Sequence, residues 1–278
     1  MKRIFIVLIS MLCAVLLSSC VYFEYGINNT SRNDSDVERA LYKLLTCDNY
    51  TYVHMSESRF ISNGVATESS GTYDSVIFHH PYKSRSFALW DPNDRGIVSG
   101  TGYEIQKNGH IELKTTHQLE NGDVIERDPK VKEVYEEFFI RQMNNCLVSE
   151  ELIKEHPSVK DLRKYKVVVS AYPFICFFGY VADKRDPATK IFMEVFDTCE
   201  GFVYIDGKTN DVVSIAFDLS GKKDLSKKVN DRIIKEDVTH ISMGEFDKLR
   251  FSYTITSIND NSLETEEIRK EIDNEMQY

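Results

Sequence analysis

Apolar positions change their rhythm near residue 35 and again near residue 128 of this 278-residue chain. Ile4 to Leu17 is an apolar run broken only by Ser10, and residues 21–34 soon turn polar without any period, which predicts a flexible spacer. Ser35 followed by Glu38 makes a capping box, and Val37, Ala40, Leu41, Leu44 and Leu45 then share one helical face. This predicts a helix over 36–46 with a sheet to cover. From Asn49 to Arg127, β-rich runs are punctuated by Asn63-Gly64, Asn108-Gly109 and Asn121-Gly122. Asn-Gly supplies the positive φ that tight hairpin turns need, so this region reads as an antiparallel meander. In 110–119, Ile111, Leu113, Thr115 and Leu119 alternate with His110, Glu112, Lys114 and Gln118, giving one covered and one wet face.

Asp128-Pro129 has the form of a helix cap followed by proline at the first helical position. Val131, Val134, Tyr135, Phe138, Phe139 and Met143 would give that helix a broad apolar face and a deep seat. Ser149 to Glu155 reads as a third, short helix ending before Pro157, with a further turn at 158–164. Strands are expected from Tyr165, at 172–182, 191–196, 202–205 and 212–217, and then at 232–243 and 246–257. Several are apolar on both faces, yet the links Asp183–Thr189 and Asp206–Asp211 are too short for parallel crossovers. An antiparallel sheet covered on both sides follows: either the helix after Asp128 packs inside a strongly curved sheet, or an apolar cavity lies there. The charged, helix-prone tail from Ser262, with Glu266 and Lys270 at a supportive spacing, is expected to be a solvated end.

Composition narrows the function classes. Tyr 15 and Phe 16 against one Trp favour β-structure. A net charge of −10 repels phosphate backbones and anionic lipid head groups, so nucleic acid is not an expected partner. Chemistry is sparse. The sequence has no Gly-x-Ser-x-Gly, Walker loop, HExxH or dinucleotide glycine pattern. His79-His80 precedes Pro81 and reads as an exposed strand end whose neighbours point to opposite faces; His110 and His117 are also opposed. Cys176 among Phe174, Phe177 and Phe178 reads as core, and Asp206, Asp211 and Asp218 mostly as turn residues. No enzyme activity, cofactor or metal site is expected.

Met1-Lys2-Arg3, the apolar run of about 14 residues and the small-residue exit form an export signal too short for a comfortable membrane span. The ending Leu17-Ser18-Ser19-Cys20 resembles the lipobox of bacterial lipoproteins. That resemblance implies cleavage before Cys20 and diacylation of its thiol, tethering the chain to a membrane outside the cytoplasm. Loss of Lys2 and Arg3 then makes the mature charge −12. An ordinary signal peptide on a secreted chain is the alternative, and triplets such as Asn28-Asn29-Thr30 and Asn49-Tyr50-Thr51 suit it. The expected organisation is a signal at 1–19, a lipidated Cys20 and spacer to 34, one α+β domain over 35–258 with a subdivision near 128 as an option, and a tail over 259–278. Of the remaining cysteines, Cys47, Cys146, Cys176 and Cys199 allow two disulfides in three connectivities. Pairing Cys47 with Cys146 and Cys176 with Cys199 suits the expected elements, with buried thiols as the alternative.

Ala40-Leu41-Tyr42-Lys43-Leu44-Leu45 leads into Tyr50-Thr51-Tyr52-Val53. Later, Tyr204-Ile205-Asp206-Gly207-Lys208-Thr209 precedes Val212-Val213-Ser214-Ile215-Ala216-Phe217-Asp218. With the lipobox and the order helix, meander, helical insertion, meander, these phrases resemble the half-barrel lipoproteins related to the LolA and LppX/LprG carriers, and lipoproteins of similar build in Gram-positive bacteria. The resemblance implies a strongly curved antiparallel sheet with helices on its concave face and an apolar surface able to hold acyl chains. Phe138, Phe139, Phe174, Phe178, Phe192 and Phe196 would line such a cavity, with plain core as the alternative for each. The rival architecture is two helix-plus-meander modules, as in cystatin-like or nuclear-transport-factor-like folds. Expected roles are binding of a lipid or other hydrophobic ligand, or association with an envelope protein partner without a small ligand.

Overall fold

Ser35 begins the fold as its sequence predicts: its hydroxyl accepts a 3.0 Å hydrogen bond from the Glu38 amide, and helix α1 runs Asp36–Thr46. Val37, Ala40, Leu41, Leu44 and Leu45 are its buried face. A second cap comes from far along the chain. The Glu150 carboxylate accepts from the Ser35 hydroxyl and from the amides of Asp36 and Val37, at 2.9 and 3.0 Å for the amides, placing negative charge on the positive end of the helix dipole. The computed structural model describes residues 35–62, 65–90, 96–132, 137–155, 161–178, 180, 183–239 and 244–276. Leu17, Ser18, Ser19, Cys20, the spacer, Asn63-Gly64 and Asp91–Arg95 lie outside the described residues, as does the side chain of Cys176.

Strands β1 (Asn49–Ser62), β2 (Val65–His79), β3 (Tyr82–Trp90), β4 (Ile97–Lys107), β5 (His110–Leu119) and β6 (Val124–Lys132) form the first meander. At the β4–β5 turn Asn108 has φ 52° and Gly109 φ 81°, the paired positive angles of a tight hairpin. After helix α2 (Phe138–Cys146) come β7 (Leu147–Glu155), β8 (Leu162–Ser170), a 3₁₀ segment (Tyr172–Phe178), α3 (Pro187–Phe196), β9 (Thr198–Asp206), β10 (Val212–Asp218), α4 (Leu225–Lys235), β11 (Glu245–Ile258) and α5 (Leu263–Glu275).

Among the described residues, all strands belong to one 11-stranded sheet in the order β6-β5-β4-β3-β2-β1-β11-β10-β9-β8-β7, every pair antiparallel. The first and last strands meet at its centre, where Tyr50 pairs with Ile258 and Ile61 with Glu245. One sheet therefore runs through both halves, and the two-module alternative does not describe it. Its curvature follows from chain length. Strands β6 and β7 are opposite edges, about 48 Å apart in a flat sheet at about 4.8 Å per strand. The connection from Lys132 to Leu147, with nine residues helical, reaches about 36 Å at full stretch. The sheet must bend to bring its edges within that reach, and α2 lies across the face it bends around. This is the open, curved α+β half-barrel that the order of elements implies.

Several expected elements take another form. Asp128-Pro129 does not start a helix; β6 continues through it, because an edge strand can spare one amide. Ser149–Glu155 belongs to edge strand β7, whose Glu150 is engaged with α1. Residues 172–178 form a 3₁₀ segment. The apolar run 191–196 is helical: Asp186 caps it at the Thr189 amide, Pro187 opens it, and Ala188, Ile191, Phe192 and Phe196 are buried at helical spacing. Residues 232–235 end helix α4 instead of beginning a strand. The tail is not merely solvated. On the face opposite the other helices, α5 buries Ile272 and Met276 against Val76, Phe78 and Tyr103, with Lys83–Asp273 and Lys114–Glu275 ion pairs beside them.

Candidate functional site

Alternation decides what each face of the sheet offers. On the helix-covered face, Phe139 of α2 stacks on Tyr253 at 5.4 Å and meets Phe217 and Phe251 edge-on at 5.6 and 5.1 Å. Phe174 sits 5.4 Å from Phe139 and 5.0 Å from Phe196, while Phe192 lies 5.2 Å from Phe196 and 5.3 Å from Phe178. Five of the six phenylalanines expected to line a cavity thus meet in one chain of ring contacts; the sixth, Phe138, packs against Tyr172 at 5.6 Å. Phe138, Phe139, Phe174, Phe192 and Phe196 are buried. Ring on ring, they contribute core energy of a kind that accompanies any aromatic cluster.

Where α2 begins, the same face carries a buried polar group that the sequence pattern did not foretell. Glu137 accepts from Tyr50 Oη at 2.6 Å, from His79 Nε2 at 3.1 Å and from Arg141. His79 Nδ1 lies 2.6 Å from the Cys47 carbonyl. His79 is no exposed strand end: its side chain is 3% exposed and that of Glu137 is 0% exposed. Burial alone would drive the histidine neutral, but its bonds to Cys47 and Glu137 outweigh that and lift its pKa to about 10. For Glu137, burial acts upward, and Arg141 and His79 reverse it, holding the carboxylate well below its usual range. Arg141 also lies over the Tyr82 ring at 5.9 Å, and Tyr82 donates to buried Glu104 at 3.0 Å. The network is enclosed and fixes α2 to β1 and β2.

The thiols stay apart. Cys47, Cys146 and Cys199 are free, so neither expected disulfide forms. Cys47 Sγ is turned to the Leu44 and Asn49 carbonyls at 3.0 and 3.2 Å, Cys146 is bonded by Ser170, and Cys199 is buried on β9 with its thiol pushed up to about 12 by burial. Among the described residues no cluster of His, Cys, Asp and Glu could hold a metal ion, and no helix is long and apolar enough to cross a membrane.

Open space lies on the opposite face. A trough of about 920 Å³ crosses the middle of the sheet. Its floor is a single in-register row: Leu89 of β3 pairs with Thr72, Thr72 with Met55, Met55 with Ser252, Ser252 with Ala216, and Ala216 with Phe202 of β9. Five strand spacings make that row about 24 Å long. Met55, Leu89 and Phe202 are 54, 52 and 37% exposed. Beside it runs a second, charged row, in which Glu57 pairs with Lys248 at 2.7 Å and Asp218 with Arg250 at 2.8 Å. An apolar strip next to self-neutralised charge suits an elongated amphiphile. The sequence held one signal for it: Met55 shares parity with Thr51 and Glu57, and Phe202 with Glu200 and Tyr204, so large apolar residues stand on the wet side of alternating strands.

No family model and no curated protein matches the chain. Solved structures similar to it include a DUF1329 family protein from Desulfovibrio piger, at 9% identity and a TM-score of 0.26, covering 82% of this chain and 92% of that one. Another is a domain named for outer membrane lipoprotein sorting from Vibrio parahaemolyticus, at 5% identity and a TM-score of 0.27, covering 85% of this chain and 97% of that one.

Proposed function

We propose that this chain is a non-enzymatic binding protein, tethered outside the cytoplasm through acylated Cys20, that takes up the apolar part of an amphiphilic ligand in the trough of its sheet. The observation that carries the reading is the in-register row from Leu89 to Phe202, which leaves three large apolar side chains uncovered on a continuous floor. Such a site works by removing apolar surface from water, at about 25 cal/mol per Å², and needs no bond-making group. The leader ending in Leu17-Ser18-Ser19-Cys20 supports the tether. The Phe174, Phe192 and Phe196 cluster offers a second, interior location for the same ligand class, should those rings part.

Mass spectrometry of lipid extracted from natively purified protein tests the reading. Wild type should carry a stoichiometric amphiphile and a Met55→Asp/Phe202→Asp variant should not. Retention by the variant would move the ligand to the interior cluster, and absence from wild type would remove the proposal. Fatty-acid labelling of wild type but not of Cys20→Ala tests the anchor separately.

A second reading, an envelope protein partner, is supported by the edge strands: Val124 and Val131 on β6 and Val148, Leu152 and Ile153 on β7 are exposed. A photo-crosslinking residue at position 153 forming one discrete adduct in cells, absent when placed at 202, would favour it.

A further inference from the structure

We infer that helix α5 is an ion-clasped flap: it occupies a cationic and apolar surface beside the trough, and an anionic amphiphile competes with it for that surface. This goes beyond the trough reading and stands or falls separately from it. Register places the two features side by side on one face of the sheet. Two residues along each strand from Met55, Thr72 and Leu89 stand Val53, Asp74 and Phe87; two further along stand Thr51, Val76 and Arg85, with Tyr103 opposite Arg85 on β4. Helix α5 lies over this third row and the one beyond it, where Ile272 and Met276 cover Val76, Phe78 and Tyr103. Between the helix and the trough row, a cavity of about 260 Å³ is left under the first turns of α5, lined by Asp74, Val76 and Phe87 below and by Glu264, Thr265 and Ile268 above.

The hold of α5 on the sheet combines this narrow apolar seam with an ionic clasp. Asp273 pairs with Lys83, Glu275 with Lys114 at 2.6 Å and Glu271 with Arg85 at 3.4 Å, every acid on the helix and every base on the sheet. Glu271 also accepts from Tyr103 Oη at 2.6 Å. The three carboxylates are 39 to 43% exposed, so dissolved salt reaches and screens them. Because α5 follows β11 and takes no place in the sheet, it can swing on the link at 259–262 without unpairing a strand. Opening takes Asp273 from Lys83, Glu271 from Arg85 and Glu275 from Lys114, in the midst of Val76, Phe78, Tyr103 and Ile105. Of the nearest acids on that face, Glu112 is matched by Lys107 at 3.7 Å, and Asp74 and Glu126 stand one row off. A ligand that joins an acid to an apolar chain reproduces what α5 supplies, carboxylates flanking Ile272 and Met276. A neutral one meets the apolar part and gives Lys83 and Arg85 nothing in exchange.

Hydrogen exchange of the full folded chain, read by mass spectrometry, tests the flap. Peptides covering 263–276 should exchange faster in about 1 M than in about 50 mM NaCl, while peptides of β1 and β11 should not. Glu271→Gln/Asp273→Asn/Glu275→Gln should show the faster rate already in the dilute salt. Calorimetric titration with dodecanoate and dodecyl maltoside, each below its micellar concentration, tests the surface beneath. The triple variant should bind dodecanoate about tenfold more tightly than wild type does, with the maltoside unchanged, and adding Lys83→Met/Arg85→Met should remove the gain. Exchange of α5 that is indifferent both to salt and to the triple variant would overturn the flap. A looser α5 without the dodecanoate gain, or a gain that survives the methionine pair, would overturn the site under it. Maltoside binding to wild type reports on the trough alone: its absence alongside the dodecanoate gain would remove the trough reading and uphold this one.

Discussion

His79 Nε2 lies 3.1 Å from a Glu137 carboxylate oxygen, so the end of β2 and the start of α2, 58 residues apart in sequence, are joined by a charge pair sealed from water. Because removing one partner of such a pair leaves the other charged and buried, Glu137→Leu should cost about 3–5 kcal/mol, read as a shift of the urea midpoint. His79→Leu/Glu137→Leu/Arg141→Met, which removes the charges together, should recover part of that loss.

The same pair sets a pH dependence. Glu137 is held below its usual value of 4.5, so its contribution is full above that pH and is lost as pH falls further. His79 is raised from 6.5 to about 10, so its contribution is full below 6.5 and is lost as pH climbs through 10. Unfolding free energy measured by urea should therefore be greatest between about pH 4.5 and 6.5. In the Glu137→Leu variant the fall between pH 7 and 10 should be shallower.

Glu150 should behave as a helix cap although it lies on a strand. Glu150→Ala strips an acceptor from the Ser35 hydroxyl and from two amides of α1, and should cost about 1 kcal/mol. Amide exchange at Asp36 and Val37 should quicken more than exchange across β7.

Gly201 is glycine for want of space. A Cβ there would stand 2.4 Å from the Phe217 ring, which lies over it from the paired strand. Gly201→Ala should destabilise by about 1–3 kcal/mol in thermal unfolding, and Phe217→Leu in the same chain should return some of that by vacating the space.

Thiol labelling should follow folding. Without reductant, iodoacetamide should modify Cys47, Cys146 and Cys199 in urea, as counted by peptide mass, since none of the three is in a disulfide. In the native state Cys199 should be the slowest, its thiol being buried and pushed up to about 12. Finding any of the three oxidised in urea would contradict the free-thiol arrangement.

Local chemistry made part of this fold legible in the sequence. Helix α1 begins and ends where Ser35 and the Val37–Leu45 spacing put it, and Asn108-Gly109 marks its hairpin through two positive φ angles. The dipeptide Asp-Pro, by contrast, has two outcomes. Asp186-Pro187 opens α3, because Ala188, Ile191, Phe192 and Phe196 then fall on one buried helical face. Asp128-Pro129 stays in β6, where Val131 is 65% exposed and pairs with Glu112. Short apolar runs such as 191–196 fit either period, and only the tertiary setting decides between them. The buried Glu137 network was illegible for a related reason: its members come from β1, β2 and α2, and no spacing in the sequence announces their meeting. The trough was half legible, since parity flags Met55 and Phe202, but the row that joins them exists only in the register of six strands.

The central seam between β1 and β11 has a consequence for biogenesis. Tyr50 pairs with Ile258, about two hundred residues later, so a ribosome must finish nearly the whole polypeptide before the middle of the sheet can zip. Until then the growing chain carries a long, unsatisfied β-ladder on one side of its first strand. A truncation upstream of Glu245 should therefore leave two incomplete meanders in place of a smaller version of the protein.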